Sequence, residues 1–211
     1  MKLPLSIFGL FLLFLLAVSG NTVLLRSWTP GVARGDYFIY KMYGVFTSNR
    51  SDSSLPIPQF EYNNTNWVRI NITQIVGSIV YQLYTLHFYN ETEINFNFKT
   101  NLNPENGSTL KFSDKGVPIC AANLLIGDSL PTAQLTINET IVHSYKGGSR
   151  VTNRASWNFV DDWGTCYFDR ETGVLVELCR THQFRNHVTG ELINKTDVIK
   201  LVSTNLWEIS S

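Results

Sequence analysis

The sequence predicts a mainly β protein with a single antiparallel, strongly twisted sheet that forms a half-barrel or a sandwich. We expect the sheet to follow an N-terminal hydrophobic helix and to carry at most one or two further short helices. The 211 residues include 13 Phe, 9 Tyr and 5 Trp, and Asn and Thr are also frequent. Aromatic and β-branched residues favour half-buried strands, whereas Asn favours polar turns. This composition therefore predicts many short strands joined by short turns.

Alternation of apolar and polar residues defines two strands, in segments 67–73 and 94–99. Successive side chains of a strand point to opposite faces, so alternation predicts one buried and one solvated face. The residues expected to be buried are Val68, Ile70, Ile72, Ile94, Phe96 and Phe98, and those expected to be exposed are Arg69, Asn71, Asn95 and Asn97.

Other predicted strands are apolar on both faces, notably Tyr37–Phe46 and Ile79–Tyr89. Such strands need cover on both sides. A half-barrel would give them an apolar hollow that binds a lipid-like ligand, whereas in a sandwich the same side chains would fill the core. The sequence leaves both alternatives open.

The N-terminus has the three-part layout of a secretory signal. Met1-Lys2 gives a positive start, residues 3–18 are uncharged and, apart from Ser6 and the small Gly9, apolar, and residues 17–20 offer small side chains for a signal peptidase. Sixteen helical residues reach about 24 Å, short of a hydrocarbon core of about 30 Å. We therefore expect cleavage, with an uncleaved signal anchor as the alternative because residues 23–25 extend the apolar stretch.

The chain accordingly divides into a signal peptide or anchor (1–20), a linker (21–34) and a β-rich extracytoplasmic domain (35–211). The domain is expected to be secreted, or held at a membrane through residues 1–20. Lys plus Arg and Asp plus Glu number 17 each, so the net charge is zero. This balance removes the electrostatic argument for nucleic-acid binding.

Asn-x-Ser/Thr sequons are more frequent than the Asn, Ser and Thr content predicts by chance. Such sequons are typical of surfaces that carry N-linked glycans. An Asn- and Thr-rich β protein also makes sequons by accident, so both interpretations stay open. The candidate sites are Asn49, Asn63, Asn71, Asn90, Asn106, Asn138 and Asn194.

The segment Cys166–Cys179 predicts a hairpin with a disulfide. Asp169 caps the turn and Gly173 supplies its left-handed residue. A four-residue loop pairs Cys166 with Glu177, so that the two cysteines become diagonal neighbours on one face, within reach of a bridge. A three-residue loop would place them on opposite faces. The remaining cysteine, Cys120, lies in an apolar stretch, so we expect it to be free and buried.

Catalytic chemistry has weak support. The sequence lacks the Gly-x-Ser-x-Gly, His-Glu-x-x-His and Gly-x-x-x-x-Gly-Lys motifs. Asp161 or Asp162, beside Trp163, could pair with Glu177 as the two carboxylates of a carbohydrate-active hydrolase. Asp-Asp-Trp-Gly before a strand is also a turn signature, so no catalytic residue is predicted.

A metal site has even less support. Cys179 and His182 have the spacing of metal ligands, but a complete ligand set is missing. An extracytoplasmic location also favours disulfides over zinc thiolates. We therefore predict no metal and no cofactor.

Four strings carry a resemblance: residues 119–128 (ICAANLLIGD), 137–150 (INET with YKGGSR), 167–177 (YFDRETGVLVE) and 203–207 (STNLW). In this order they resemble segments of uncharacterised exported proteins of archaea. The resemblance covers the second half of the domain and implies a cell-surface setting without a catalytic residue or ligand. We therefore expect a non-enzymatic binding or envelope-associated module, with an apolar or carbohydrate ligand. A carbohydrate-active hydrolase and a purely structural glycoprotein are the alternatives.

Overall fold

A computed structural model describes residues 28–49, 64–103, 118–130, 135–145, 148–186 and 188–208. These residues form one antiparallel sheet of nine strands and no helical element, which confirms the mainly β class. The hydrophobic segment 1–20 lies outside the described residues. The strands are β1 (Tyr37–Ser48), β2 (Thr65–Val76), β3 (Ile79–Phe88), β4 (Glu93–Asn101), β5 (Glu139–Tyr145), β6 (Gly148–Asn158), β7 (Asp162–Asp169), β8 (Leu175–Arg185) and β9 (Leu192–Thr204).

The strand order is β4-β3-β2-β1-β9-β8-β7-β6-β5. Strands β1 to β4 and strands β5 to β9 each follow one another as neighbours, and β9 joins the two groups by pairing with β1. Strands β4 and β5 are consecutive in sequence but lie at opposite edges of an open sheet. The chain between them, residues 102–138, must therefore cross the whole sheet; we call it the crossing segment.

The described residues of the crossing segment, mainly 118–130 and 135–138, pack against one face of the sheet, the inner face. The segment's buried residues Ile119, Leu124, Leu130 and Ile137 belong to a single apolar core together with side chains of β1, β2, β3, β7 and β8. Fully burying one such side chain contributes about 1.5–3 kcal/mol. The side chains expected to line a hollow thus pack against the chain's own crossing segment.

Strand β2 confirms the predicted alternation on its apolar side, where Val68, Ile70 and Ile72 are buried. Arg69 and Asn71 are half-buried rather than exposed. The guanidinium of Arg69 lies 4.6 Å from the ring centre of Tyr37 on β1 and donates to Asn71 Oδ1 at 3.1 Å. Contact with β1 therefore covers part of the β2 face that was expected to be exposed to solvent.

Strand β4 follows the predicted alternation less well because it is an edge strand. Ile94 was expected to be buried and is 55% exposed. Phe96 and Phe98 are partly buried, with ring centres 5.0 Å and 5.7 Å from that of Tyr84. Asn95 and Asn97 are exposed as predicted.

The two ends of the sheet differ. At the near end, where β1 and β8 begin, the entering chain and the crossing segment meet the hairpin between β7 and β8. Ala122 N donates to Thr29 O at 2.9 Å, and Cys120 N donates to Gly173 O at 2.8 Å. At the far end β1 stops, β9 begins and the turn between β3 and β4 lies. The chain therefore enters the sheet at the near end, opposite the turn between β3 and β4.

A buried ion pair stabilises the near end. Asp169, 1% exposed, accepts hydrogen bonds from Thr172 N at 2.9 Å and Thr172 Oγ1 at 2.7 Å, which form the hairpin turn. Arg150 on β6 binds both carboxylate oxygens and lies 4.4 Å from the ring centre of Trp207. The hydrogen bond to Asp169 raises the pKa of Arg150 above its ordinary value.

Candidate functional site

The carboxylates considered for hydrolysis do not face each other. Asp162 pairs with His182, whereas Glu177 pairs with Tyr167. Glu177 and His182 are five positions apart on β8, an odd number, so Asp162 and Glu177 point to opposite faces of the sheet. Asp161 lies exposed in the turn before β7. A hydrolase needs both carboxylates across one cleft, and this pair does not provide that arrangement.

Asp162 lies on the inner face in a structural ion pair. Its two oxygens accept hydrogen bonds from Arg180 Nε at 2.9 Å and 3.1 Å, and Oδ1 also accepts one from Trp157 Nε1 at 3.0 Å. Partial burial acts to raise the pKa of Asp162, but the hydrogen bonds from Arg180 and Trp157 outweigh it and lower that pKa. The carboxyl group therefore stays ionised and bound.

Glu177 lies on the opposite, outer face and is also paired. Lys200 Nζ lies 3.2 Å from its Oε1, and His143 Nε2 lies 3.4 Å from its Oε2. The ring of His143 stacks on that of Tyr167 with centres 4.1 Å apart. The hydrogen bond to Glu177 raises the pKa of Lys200. These contacts join three neighbouring strands and the edge strand β5 into one polar cluster.

The predicted disulfide is wrong for a reason of register. The hairpin begins with the expected pairing, but a β-bulge at Val176 adds one residue to β8. Cys166 consequently pairs with Leu178, on the inner face, and Cys179 points to the outer face. All three cysteines are free: Cys120 and Cys166 are buried, and Cys179 is exposed. Only the expectation of a free, buried Cys120 agrees with this arrangement.

The same alternation separates the suggested metal ligands. Cys179 points to the outer face and His182 to the inner face, because they are three positions apart on one strand. Within the part of the chain that the structure describes, no group of three or more His, Cys, Asp or Glu side chains could hold a metal ion.

Thiol labelling is expected to separate the cysteines. In the native protein an alkylating reagent should modify Cys179 alone, and in the unfolded protein all three thiols should react. Burial raises the pKa of Cys166 to about 12 and also raises that of Cys120. Partial burial and then the charge of Glu177 raise the pKa of Cys179 above 9.0. Because the thiolate is the reactive form, native labelling should keep accelerating above pH 9, where unfolded thiols level off.

Mass spectrometry of the labelled protein measures this pattern, and Cys179→Ser should abolish native labelling. If only one thiol reacts after unfolding without reductant, the cysteines are not all free, and the disulfide between Cys166 and Cys179 is present after all.

The outer face of β1, β9, β8 and β7 combines aromatic rings with hydroxyl and charged groups. Tyr43 pairs with the buried Val198, and Lys200 lies two residues further along β9. Thr196 pairs with Thr181, their Oγ1 atoms 2.9 Å apart. Thr181 in turn pairs with Trp163. We call this surface the outer-face patch; it consists of Tyr43, Trp163, Thr165, Tyr167, Glu177, Cys179, Thr181, Thr196 and Lys200.

Neighbouring positions of the outer-face patch are about 4.8 Å apart across strands and about 6.7 Å apart along each strand. Tyr43 is 44% exposed, Cys179 is exposed, and the other members are half-buried or exposed. Rings and hydroxyls at this spacing can stack on and hydrogen-bond a polyhydroxylated ligand. Of these residues, Trp163, Glu177 and Cys179 were considered for chemistry from the sequence alone. The polar positions Thr181, Thr196 and Lys200 follow from alternation within β8 and β9.

The five sequon asparagines among the described residues fall into two groups. Asn49, Asn90 and Asn138 are exposed next to strand ends, whereas Asn71 and Asn194 are half-buried within strands on the outer face. The remaining sequons, Asn63 and Asn106, lie outside the described residues.

No family model matches the chain. A comparison with curated proteins also finds no match. None of the described residues belongs to a helix that is long and apolar enough to cross a membrane. Function is therefore inferred from the geometry of the two faces and from the N-terminal segment.

Proposed function

We propose that the chain is exported by its N-terminal segment and that its β domain binds carbohydrate at the cell surface without catalysis. Residues 1–20 support export through their signal-like layout. The resemblance to exported archaeal proteins supports an archaeal cell-surface setting. The observation that carries the binding proposal is the outer-face patch, where aromatic rings lie beside hydroxyl and charged side chains.

The chemistry of the outer-face patch suits a sugar. The faces of a pyranose ring carry C–H bonds, which pack on aromatic rings. Its edge carries hydroxyl groups, which donate and accept hydrogen bonds. Tyr43 and Trp163 supply rings at two positions of the patch, and Thr181 and Thr196 supply hydroxyls in the row of Trp163. Lys200 supplies a donor in the row of Glu177 and Tyr167, on the other side of Tyr43. The ring and the hydroxyl of a tyrosine allow it to combine both kinds of contact.

The inner face is a less favourable ligand site than the outer face. The crossing segment already packs there, and Leu124 and Ile119 are no more than 1% exposed. A ligand would have to displace these residues, at about 1.5–3 kcal/mol for each large side chain. We further infer that the sheet curves around the crossing segment as a half-barrel.

Tyr43→Ala is expected to weaken carbohydrate binding about fivefold, since one aromatic contact contributes about 1 kcal/mol. The measurement is retention on immobilised chitin, β-glucan and mannan, followed by titration with oligosaccharides of the polymer that binds. Tyr89→Ala is the matched control, because Tyr89 is 64% exposed and lies at the turn between β3 and β4, outside the patch.

Equal weakening in both variants would exclude a specific role of the outer-face patch. If the folded wild-type protein binds none of the three polymers, carbohydrate binding is wrong and a purely structural glycoprotein becomes the better description.

A further inference from the structure

The exposed turn between β3 and β4 presents a complete sequon to solvent. Asn90, Glu91 and Thr92 are all exposed, and the side chain of Glu91 is 81% exposed. Asn90 Oδ1 accepts hydrogen bonds from Thr92 N at 3.2 Å and Thr92 Oγ1 at 2.6 Å. Its Nδ2, the atom that N-glycosylation modifies, makes no hydrogen bond to any residue in the described part of the chain.

The outer-face sequons are held within the sheet instead. Asn71 Oδ1 accepts a hydrogen bond from Arg69, and Asn194 Oδ1 accepts one from Gln183 Nε2 at 2.8 Å. The hydroxyl of Thr196, the third residue of the Asn194 sequon, pairs with Thr181. A transferase that needs an exposed, movable sequon would have to pull these residues out of paired strands.

Asn138 is intermediate between these two groups. Its side chain is exposed, but the hydroxyl of Thr140, which completes the sequon, donates to Asn153 Oδ1 inside the sheet at 2.7 Å. Exposure of the whole tripeptide therefore distinguishes Asn90 from Asn138, Asn71 and Asn194.

We infer that Asn90 carries an N-linked oligosaccharide and that Asn71 and Asn194 stay unmodified. This inference rests on the proposed export, because glycosyl transfer occurs outside the cytoplasm. The donor is an oligosaccharide bound through phosphate to a lipid. The bond between its anomeric carbon and the phosphate oxygen breaks, and that oxygen keeps the electron pair. The anomeric carbon bonds to Asn90 Nδ2, and a base of the transferase takes the amide proton.

The position of the glycan follows from the fold. Asn90 lies at the far end of the sheet, whereas the chain enters at the near end, where Thr29 contacts the crossing segment. A glycan at Asn90 therefore lies at the end of the sheet opposite Thr29. Unmodified Asn71 and Asn194 leave the outer face uncovered, so that the outer-face patch stays accessible to a ligand.

The test uses the full chain in a host that N-glycosylates exported proteins, with glycopeptide mass spectrometry for each sequon. We expect a glycan on the Asn90 peptide and none on the Asn71 and Asn194 peptides. Asn90→Asp keeps the Oδ1 acceptor of the turn but removes Nδ2, so it should lose one glycan and fold normally. Asn71→Asp is the matched control and should leave the glycan mass unchanged.

Export is measured separately, from the amount of protein outside intact cells. Exported protein without a glycan at Asn90, or with one at Asn71 or Asn194, overturns this inference alone. Protein retained in the cytoplasm without any glycan overturns both this inference and the proposed export.

Discussion

Asp169→Ala is expected to destabilise the domain by about 3 kcal/mol, which lowers the melting temperature by about 10 °C. The substitution leaves the guanidinium of Arg150 without its buried partner and removes the acceptor for Thr172 N and Thr172 Oγ1 in the turn. The expected cost lies at the low end for a broken buried pair because the Arg150 side chain is 25% exposed and can reach water. Urea denaturation and thermal melting measure it.

Glu171→Ala is the matched control for this substitution. Glu171 contacts the same Arg150 at 3.0 Å, but its side chain is 80% exposed. Exposed ion pairs contribute less than about 1 kcal/mol, so this variant should melt close to the wild type. Equal melting of the two variants would show that burial of Asp169 does not stabilise the near end.

Gly173→Ala is expected to cost about 3 kcal/mol or more. Gly173 has φ +74°, where an L side chain costs about 1–2 kcal/mol. A Cβ at this position would lie 2.2 Å from the backbone oxygen of Cys120, so the crossing segment would have to move. Repacking a tight contact adds about 1–3 kcal/mol. The free energy of unfolding in urea gives the total.

Gly190→Ala isolates the backbone cost. Gly190 has φ +70°, but beyond its two chain neighbours no atom of the described residues lies within 4 Å of the added Cβ. We expect a loss of about 1 kcal/mol, close to the conformational cost alone. If both alanine variants lose the same stability, the close packing of the crossing segment on the hairpin does not contribute.

Local patterns predicted the strands well because alternation and turn residues act within a few positions. The buried side of β2 and the hairpin around Gly173 follow directly from the sequence. The β-bulge at Val176 was not predictable, since it depends on how β8 fits between β7 and β9. One inserted residue reversed the face of Cys179 and removed the predicted disulfide.

The order of the strands in the sheet could not be predicted from local patterns for the same reason. Because β9 pairs with β1, strands β4 and β5 lie at opposite edges of the sheet, and no short motif encodes that pairing. The outer-face patch also forms only when four strands take their register. Glu177 was recognised as a chemical group, but its partners Lys200 and His143 come from strands distant in sequence.

Export is the central claim, and its most direct measurement is the fraction of the protein that added protease can reach on or outside intact cells. Wild-type protein should be accessible. The variant Leu12→Lys/Leu15→Lys should stay inside, because each charge at mid-membrane costs about 2.5–3.5 kcal/mol. Leu12→Ala/Leu15→Ala keeps the segment uncharged and should be exported. Accessibility of the lysine variant equal to that of the wild type would contradict export by residues 1–20.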